Sequence, residues 1–152
     1  MRNARLGLCL AISLVANGCG PCGPASLVSG SLAKPEAEKL ANAYFDHFRA
    51  KSYDACLQLY SPDFWKSAPK AQWQKILPNV EAELGPLKTC ELTGWRAGEH
   101  VGTSGTGTRV DLTYACKHEK YDATVSFRVF TPVGGKPAIV AQNFASIGFL
   151  IE

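Results

Sequence analysis

Apolar residues at Ala37, Leu40, Ala41, Tyr44, Phe45 and Phe48 recur at helical spacing, one broad stripe that predicts a first helix from Glu36 onward. Ser52 is placed to cap a second, shorter helix carrying Tyr53, Cys56, Leu57 and Tyr60, with Ser61-Pro62 as its stop. A third helix follows Pro69, with Trp73, Ile76, Leu77, Val80 and Leu84 on one side and Gly85-Pro86 beyond its end; Pro78 should kink or split it. The period then falls to two. Val110, Leu112, Tyr114 and Cys116 alternate with Arg109, Asp111, Thr113 and Lys117, and Ala123, Val125, Phe127 and Val129 alternate with Thr124, Ser126 and Arg128. Half-polar strands of this kind suit an antiparallel sheet covered on one side. Residues 87–97 and 136–146 supply two outer strands, joined by a loop over 98–107, a tight turn near Glu119-Lys120 and the turn Pro132-Val133-Gly134-Gly135. The expected fold class is α+β: three N-terminal helices packed on a four-stranded antiparallel sheet.

The first 35 residues follow neither period. Arg2 and Arg5 precede the apolar run LGLCLAISLVA, and small residues follow at once, the order of a secretory signal over residues 1–18. Eleven helical residues would rise only about 16 Å, too short for a membrane span. The junction Ala16-Asn17-Gly18-Cys19 resembles a bacterial lipoprotein signal, which implies acylation of Cys19 and attachment to the cell envelope; Gly20 after the cysteine resembles outer-membrane sorting, with the domain facing the periplasm. Cleavage near Ala25 and release as a soluble secreted protein is the alternative. Residues 19–35 are rich in Gly, Pro, Ser and Ala and read as a flexible tether, leaving 36–152 as a single α+β domain.

Within the tether, Cys19-Gly20-Pro21-Cys22 has the form of a thioredoxin-type redox site. Such a site needs its first thiol at a helix N-terminus after a strand, where the dipole depresses its pKa. Here the motif follows a signal core, so a dithiol role is set aside.

The helix-then-sheet order resembles the nuclear-transport-factor-two-like, cystatin-like superfamily, and in particular its small bacterial lipoproteins of unknown function. The residues that carry the likeness are AYFDHFRAKSYDACLQLYSPDFW, the junction Leu84-Gly85-Pro86-Leu87 and the final AIVAQNFAS. The resemblance implies a cone, helices leaning on a curved sheet around a pocket. In enzymes of that superfamily a carboxylate or histidine points into the cone as general base. The inward strand face here carries no carboxylate. His47, on the rim of the first stripe, could enter the cone and pair with Tyr60 or Tyr114, and these three are the weak candidates for catalysis.

Among the remaining cysteines, Cys90 and Cys116 each stand thirteen residues from Thr103, the middle of the first hairpin, so they should face one another on neighbouring strands. A Cys90–Cys116 disulfide is expected first, and Cys56 with either of them next. His100 and His118 fall in expected turns, and no His/Cys spacing suits a metal. The glycine run GTSGTGT lies between strands, without the helix and lysine of a phosphate-cradling loop, and reads as a hairpin loop. Phe64, Trp65 and Trp73 gather with Tyr60 as packing rather than a ligand-binding mouth.

Composition narrows the role. The chain is 46% hydrophobic and carries 16 basic against 13 acidic residues; loss of Arg2 and Arg5 leaves 14 against 13, with no Lys/Arg cluster for nucleic acid. The expectation is a non-enzymatic module, lipid-anchored through Cys19, that binds a small apolar ligand or a periplasmic protein without a cofactor. A cone-pocket enzyme acting on a hydrophobic small molecule is the alternative. An assembly role through the exposed sheet face of Thr113, Thr124, Ser126 and Arg128 is a third.

Overall fold

A computed structural model of the chain describes residues 24–102 and 105–150. The helices come first: α1 (Pro24–Arg49), α2 (Tyr53–Leu57), α3 (Phe64–Ser67) and α4 (Lys70–Leu84). Four strands follow, β1 (Leu87–Gly102), β2 (Gly105–His118), β3 (Ala123–Pro132) and β4 (Ala138–Ala145), and a 3-10 turn over Ile147–Phe149. The strands form one antiparallel sheet in chain order, so the fold is α+β as the periodicities require. None of the described helices is long and apolar enough to cross a membrane.

The core is the seam between α1 and the sheet. Ala37, Ala41, Tyr44, Phe45 and Phe48 are buried along α1, and Val110, Leu112, Tyr114, Val125, Phe127 and Val129 meet them from β2 and β3. Rings interlock edge to face across this seam: Tyr44 on Phe127 at 5.1 Å between centroids, Phe45 on Tyr114 at 5.0 Å. Each such ring contributes roughly 1.5–3 kcal/mol through its removal from water. α4 closes the far end with Leu77, Val80 and Leu84.

Several expectations are corrected or narrowed. α1 starts at Pro24, so residues 24–35, expected as tether, are helical. Proline is well placed at a helix start, and Gly30 lets the helix lie close to the sheet, since a Cβ there would come within 2.9 Å of the Ala97 Cβ. Lys34 lies over the Trp95 ring at 5.3 Å.

The second correction concerns the helix count. α2 stops at Leu57, and the chain instead runs along the edge of β4: Tyr60 bridges Ile139 in parallel, with the Ile139 N–H donating to Leu59 O and the Ser61 N–H to Ile139 O, both at 2.9 Å. The extra short helix α3 follows. Ser52 precedes α2 without a side-chain capping bond.

The third is narrowed rather than overturned: α4 runs unbroken with Pro78 inside it, so of the two outcomes expected, kink or split, the split does not occur. Burial of Leu77 and Val80 on either side holds the turn together against the lost hydrogen bond.

The fourth is the stretch 98–107, expected as a loop. It is mostly paired backbone, with Gly98 opposite Arg109, His100 opposite Gly107 and Gly102 opposite Gly105. The glycine run thus lies in the β1–β2 hairpin as expected, but its described residues, Gly102 and Gly105 to Thr108, are strand rather than loop; glycine is a poor strand former, but a ladder anchored lower down carries it.

One irregularity sets which side chains share a face. Gly94 pairs with Thr113 but Leu92 pairs with Tyr114, so Thr93 is an extra residue on β1, a β-bulge whose hydroxyl donates to Thr113 O at 3.1 Å. Carried on unbroken, the upper register would set Cys90 opposite Lys117. With the bulge it faces Cys116.

The last helix is joined to the sheet at Gly85, whose φ of 80° only glycine adopts without strain and where a Cβ would meet Glu119 Cβ at 2.9 Å. His118, buried, shares a hydrogen bond of 2.9 Å between its Nδ1 and Gly85 O. It is a structural residue of this junction, in β2 rather than in a turn; His100 likewise lies in β1.

Candidate functional site

The catalytic candidates expected from the sequence are not brought together. His47 is half-buried on the flank of α1, and among the described residues no hydrogen bond or ring contact joins its side chain to Tyr60 or Tyr114. Tyr60 is buried and donates its hydroxyl hydrogen bond to Gln142 Oε1. Tyr44 stands beside it, 6.4 Å between ring centroids. Burial holds the Tyr44 and Tyr60 hydroxyls far above the ordinary phenol range, and burial with the nearby Glu38 charge pushes Tyr114 up to about 12. All three stay protonated at neutral pH, so none is a base.

Beside Tyr44 the space is closed. The void between α1 and the sheet, lined by Tyr44, Phe45, Phe48, Cys116, Val125 and Phe144, admits no water-sized molecule. Cys90 and Cys116 form a disulfide on this inner face, the pairing expected first, while Cys56 is a free, buried thiol pushed up to about 12 by burial. Cys56 donates a weak hydrogen bond to Tyr44 O at 3.6 Å. It is inert by environment. Cys19 and the signal residues lie outside the described residues. No group of His, Cys, Asp and Glu among the described residues could hold a metal ion.

Open space lies on the other side of the sheet. A groove of about 520 Å³ runs between the outer face of β1–β4 and the Ser61–Ser67 segment. Alternation on the strands decides its chemistry. Residues whose neighbours fill the core point their own side chains outward, and pairing brings Arg109 opposite Phe130 and Asp111 opposite Arg128. Phe64, Phe130 and Val140 give the groove apolar walls; Arg109, Arg128 and Lys136 give it positive charge, and the His100 ring adds a polar edge. The one acid on its wall, Asp63, is already paired with Lys66 at 2.6 Å.

Asp111 organises the arginines. Its carboxylate accepts from Arg128 Nε at 2.7 Å and Arg96 Nε at 3.2 Å, with Arg109 Nε at 3.7 Å. Partial burial pushes the Asp111 carboxyl up, but the hydrogen bonds and charge of Arg128, Arg96 and Arg109 outweigh it, and its pKa falls below the usual carboxylate value. One carboxylate cannot neutralise three guanidinium groups, so the face keeps a surplus of positive charge. A second, shallower depression of about 420 Å³ adjoins it over Thr113, Ser126 and Asn143.

The aromatic group noted in the sequence sits at the groove wall. Phe64 packs on Tyr60 at 4.7 Å, on Trp65 at 4.9 Å and on Trp73 at 5.3 Å, so its ring is braced from behind. Of the groove residues, the sequence pointed to Arg109 and Arg128 as outward strand residues and to Phe64 as packing. His100 and Lys136 carried no signal, because only the register brings them near.

No protein-family model matches this chain, and neither the curated proteins nor the solved structures include a significant match to it.

Proposed function

We propose that the chain is an exported binding module, anchored to the cell envelope by a lipid on Cys19, whose ligand site is the outer-face groove. The observation that carries this is the contrast in space. The interior between α1 and the sheet is filled, whereas the groove is open, preformed and lined by braced aromatic and unsaturated basic side chains. A cone-pocket enzyme needs an enclosed site next to an acid or base, and the filled interior counts against it. The nuclear-transport-factor-two-like resemblance and a cone-like curvature remain part of the proposal; they are supported by the order of helices before a four-stranded meander. Export is supported by the Cys90–Cys116 bridge, a bond that persists in oxidising compartments.

Two measurements test the proposal. Mass spectrometry of the membrane-extracted protein is expected to show an acylated Cys19 as the first residue; an unmodified chain retaining Met1 would overturn the envelope anchor. NMR shift mapping with small amphiphiles is expected to move the signals of Phe64, Phe130 and Val140 and leave Leu112 and Val125 in place. Shifts confined to the interior pair would return the site to the cone.

A further inference from the structure

We infer that the groove takes an organic anion, a carboxylate or phosphate ester carried on an apolar body; the inference rests on the assignment of the groove as the ligand site. The two halves of such a ligand match two halves of the lining. Pro62, Phe64, Phe130, Pro132, Ala138 and Val140 offer an apolar floor and wall. Arg109, Arg128 and Lys136 converge on the same space from β2, β3 and the β3–β4 turn.

The basic side chains are not used up by the protein. Arg128 and Arg109 turn Nε toward Asp111, and their terminal guanidinium nitrogens make no hydrogen bond among the described residues. Lys136 has no ion pair there either. Arg109 and Arg128 side chains are 43% and 44% exposed, enough to reach a ligand while their stems stay fixed on the strands. A guanidinium held by one carboxylate and still offering a pair of parallel N–H groups is suited to an oxyanion. Asp111 thus acts as a positioning residue, fixing the arginines in orientation while leaving their charge in excess. An anion entering the groove completes the neutralisation that Asp111 begins, whereas a cation would meet like charge, the one acid of the lining, Asp63, being paired with Lys66.

Titration of the folded protein with octanoate, octyl phosphate and octanol, followed by NMR shifts at the groove, tests this. Octanoate or octyl phosphate is expected to bind about tenfold more tightly than octanol at low salt, and whichever anion is stronger identifies the headgroup. The advantage should shrink as ionic strength rises toward 1 M. Lys136→Gln, which removes no internal ion pair, should reduce it several-fold, and the double variant with Arg109→Gln, which also gives up the 3.7 Å pair with Asp111, should abolish it while octanol still binds. Equal binding of octanol and the anions in the groove overturns the inference and leaves the groove assignment standing. Absence of groove shifts with all three compounds overturns the groove assignment itself, and the inference with it.

Discussion

The two faces of this sheet are made from alternate residues of the same strands, yet they solve opposite problems. On the inner side, Val110, Leu112, Phe127 and Val129 are sealed under Tyr44 and Phe45. On the outer side, Arg109, Asp111, Arg128 and Phe130 stand in ion pairs and ring contacts around open space. A residue's parity on the strand therefore decides whether it contributes stability or recognition. The helices add the asymmetry: α1 lies along the inner face, while among the described residues the short Ser61–Ser67 segment reaches past the β4 edge to wall the outer one.

Substitutions on the two faces should therefore separate by size. The largest loss is expected for Phe127→Ala, about 3–5 kcal/mol of unfolding free energy by urea titration, since its ring contacts Tyr44, Phe45 and Tyr114. A loss below 1 kcal/mol would mean that the inner face is loosely packed. Reduction of Cys90–Cys116, or its replacement by alanine, should cost roughly 2–4 kcal/mol, read as a drop in the denaturation midpoint.

Alkali probes the inner face a different way. Cys56 has its pKa raised from 9.0 to about 12 in the folded chain, so its contribution is complete below pH 9 and is lost as pH rises toward 12. Stability should fall by about 1 kcal/mol between pH 9 and 10, and Cys56→Val should flatten that part of the profile. Tyr114 adds to the decline only above pH 10.

On the outer face, Asp111→Asn leaves Arg96, Arg109 and Arg128 without their shared counter-charge and should cost about 1 kcal/mol, because the pairs are partly solvated. In the native protein the same contribution is present above the ordinary carboxylate range and disappears as pH falls through the lowered Asp111 pKa. The smallest change is expected for His47→Ala, within about 0.5 kcal/mol by the same titration, its ring being half-buried without a hydrogen-bond partner among the described residues. A larger effect would restore it as a candidate for function.

Much of the inner face was legible in the sequence. The stripe Ala37 to Phe48 and the alternating runs of β2 and β3 are repeated signals, each residue reinforcing the next. The outer groove was not, because it is assembled from single residues of separate segments. Arg109 and Arg128 appear in the sequence as ordinary outward positions, and Phe64 as packing. Their juxtaposition with His100 and Lys136 depends on register, and on strands that reach Gly102 on one side and start at Gly105 on the other, where glycines hide the pairing. The detour of Tyr60 along β4 was hidden for a related reason: its spacing also suits a helix, and only the hydrogen-bonding edge of Ile139 decides between the two.

The surplus residue at Thr93 gives the oxidised bridge a proofreading meaning. Two thiols facing each other in the finished hairpin would lie on opposite sides of the sheet if β1 slid past β2 by one position, with Cys90 then opposite Lys117. Closure of the ring between Cys90 and Cys116 thus requires the alignment below Thr93, while the extra residue there lets Arg96 stand opposite Asp111 above it. A covalent link on the hidden side and the bulge above it together hold the register that places the charges on the side that solvent sees.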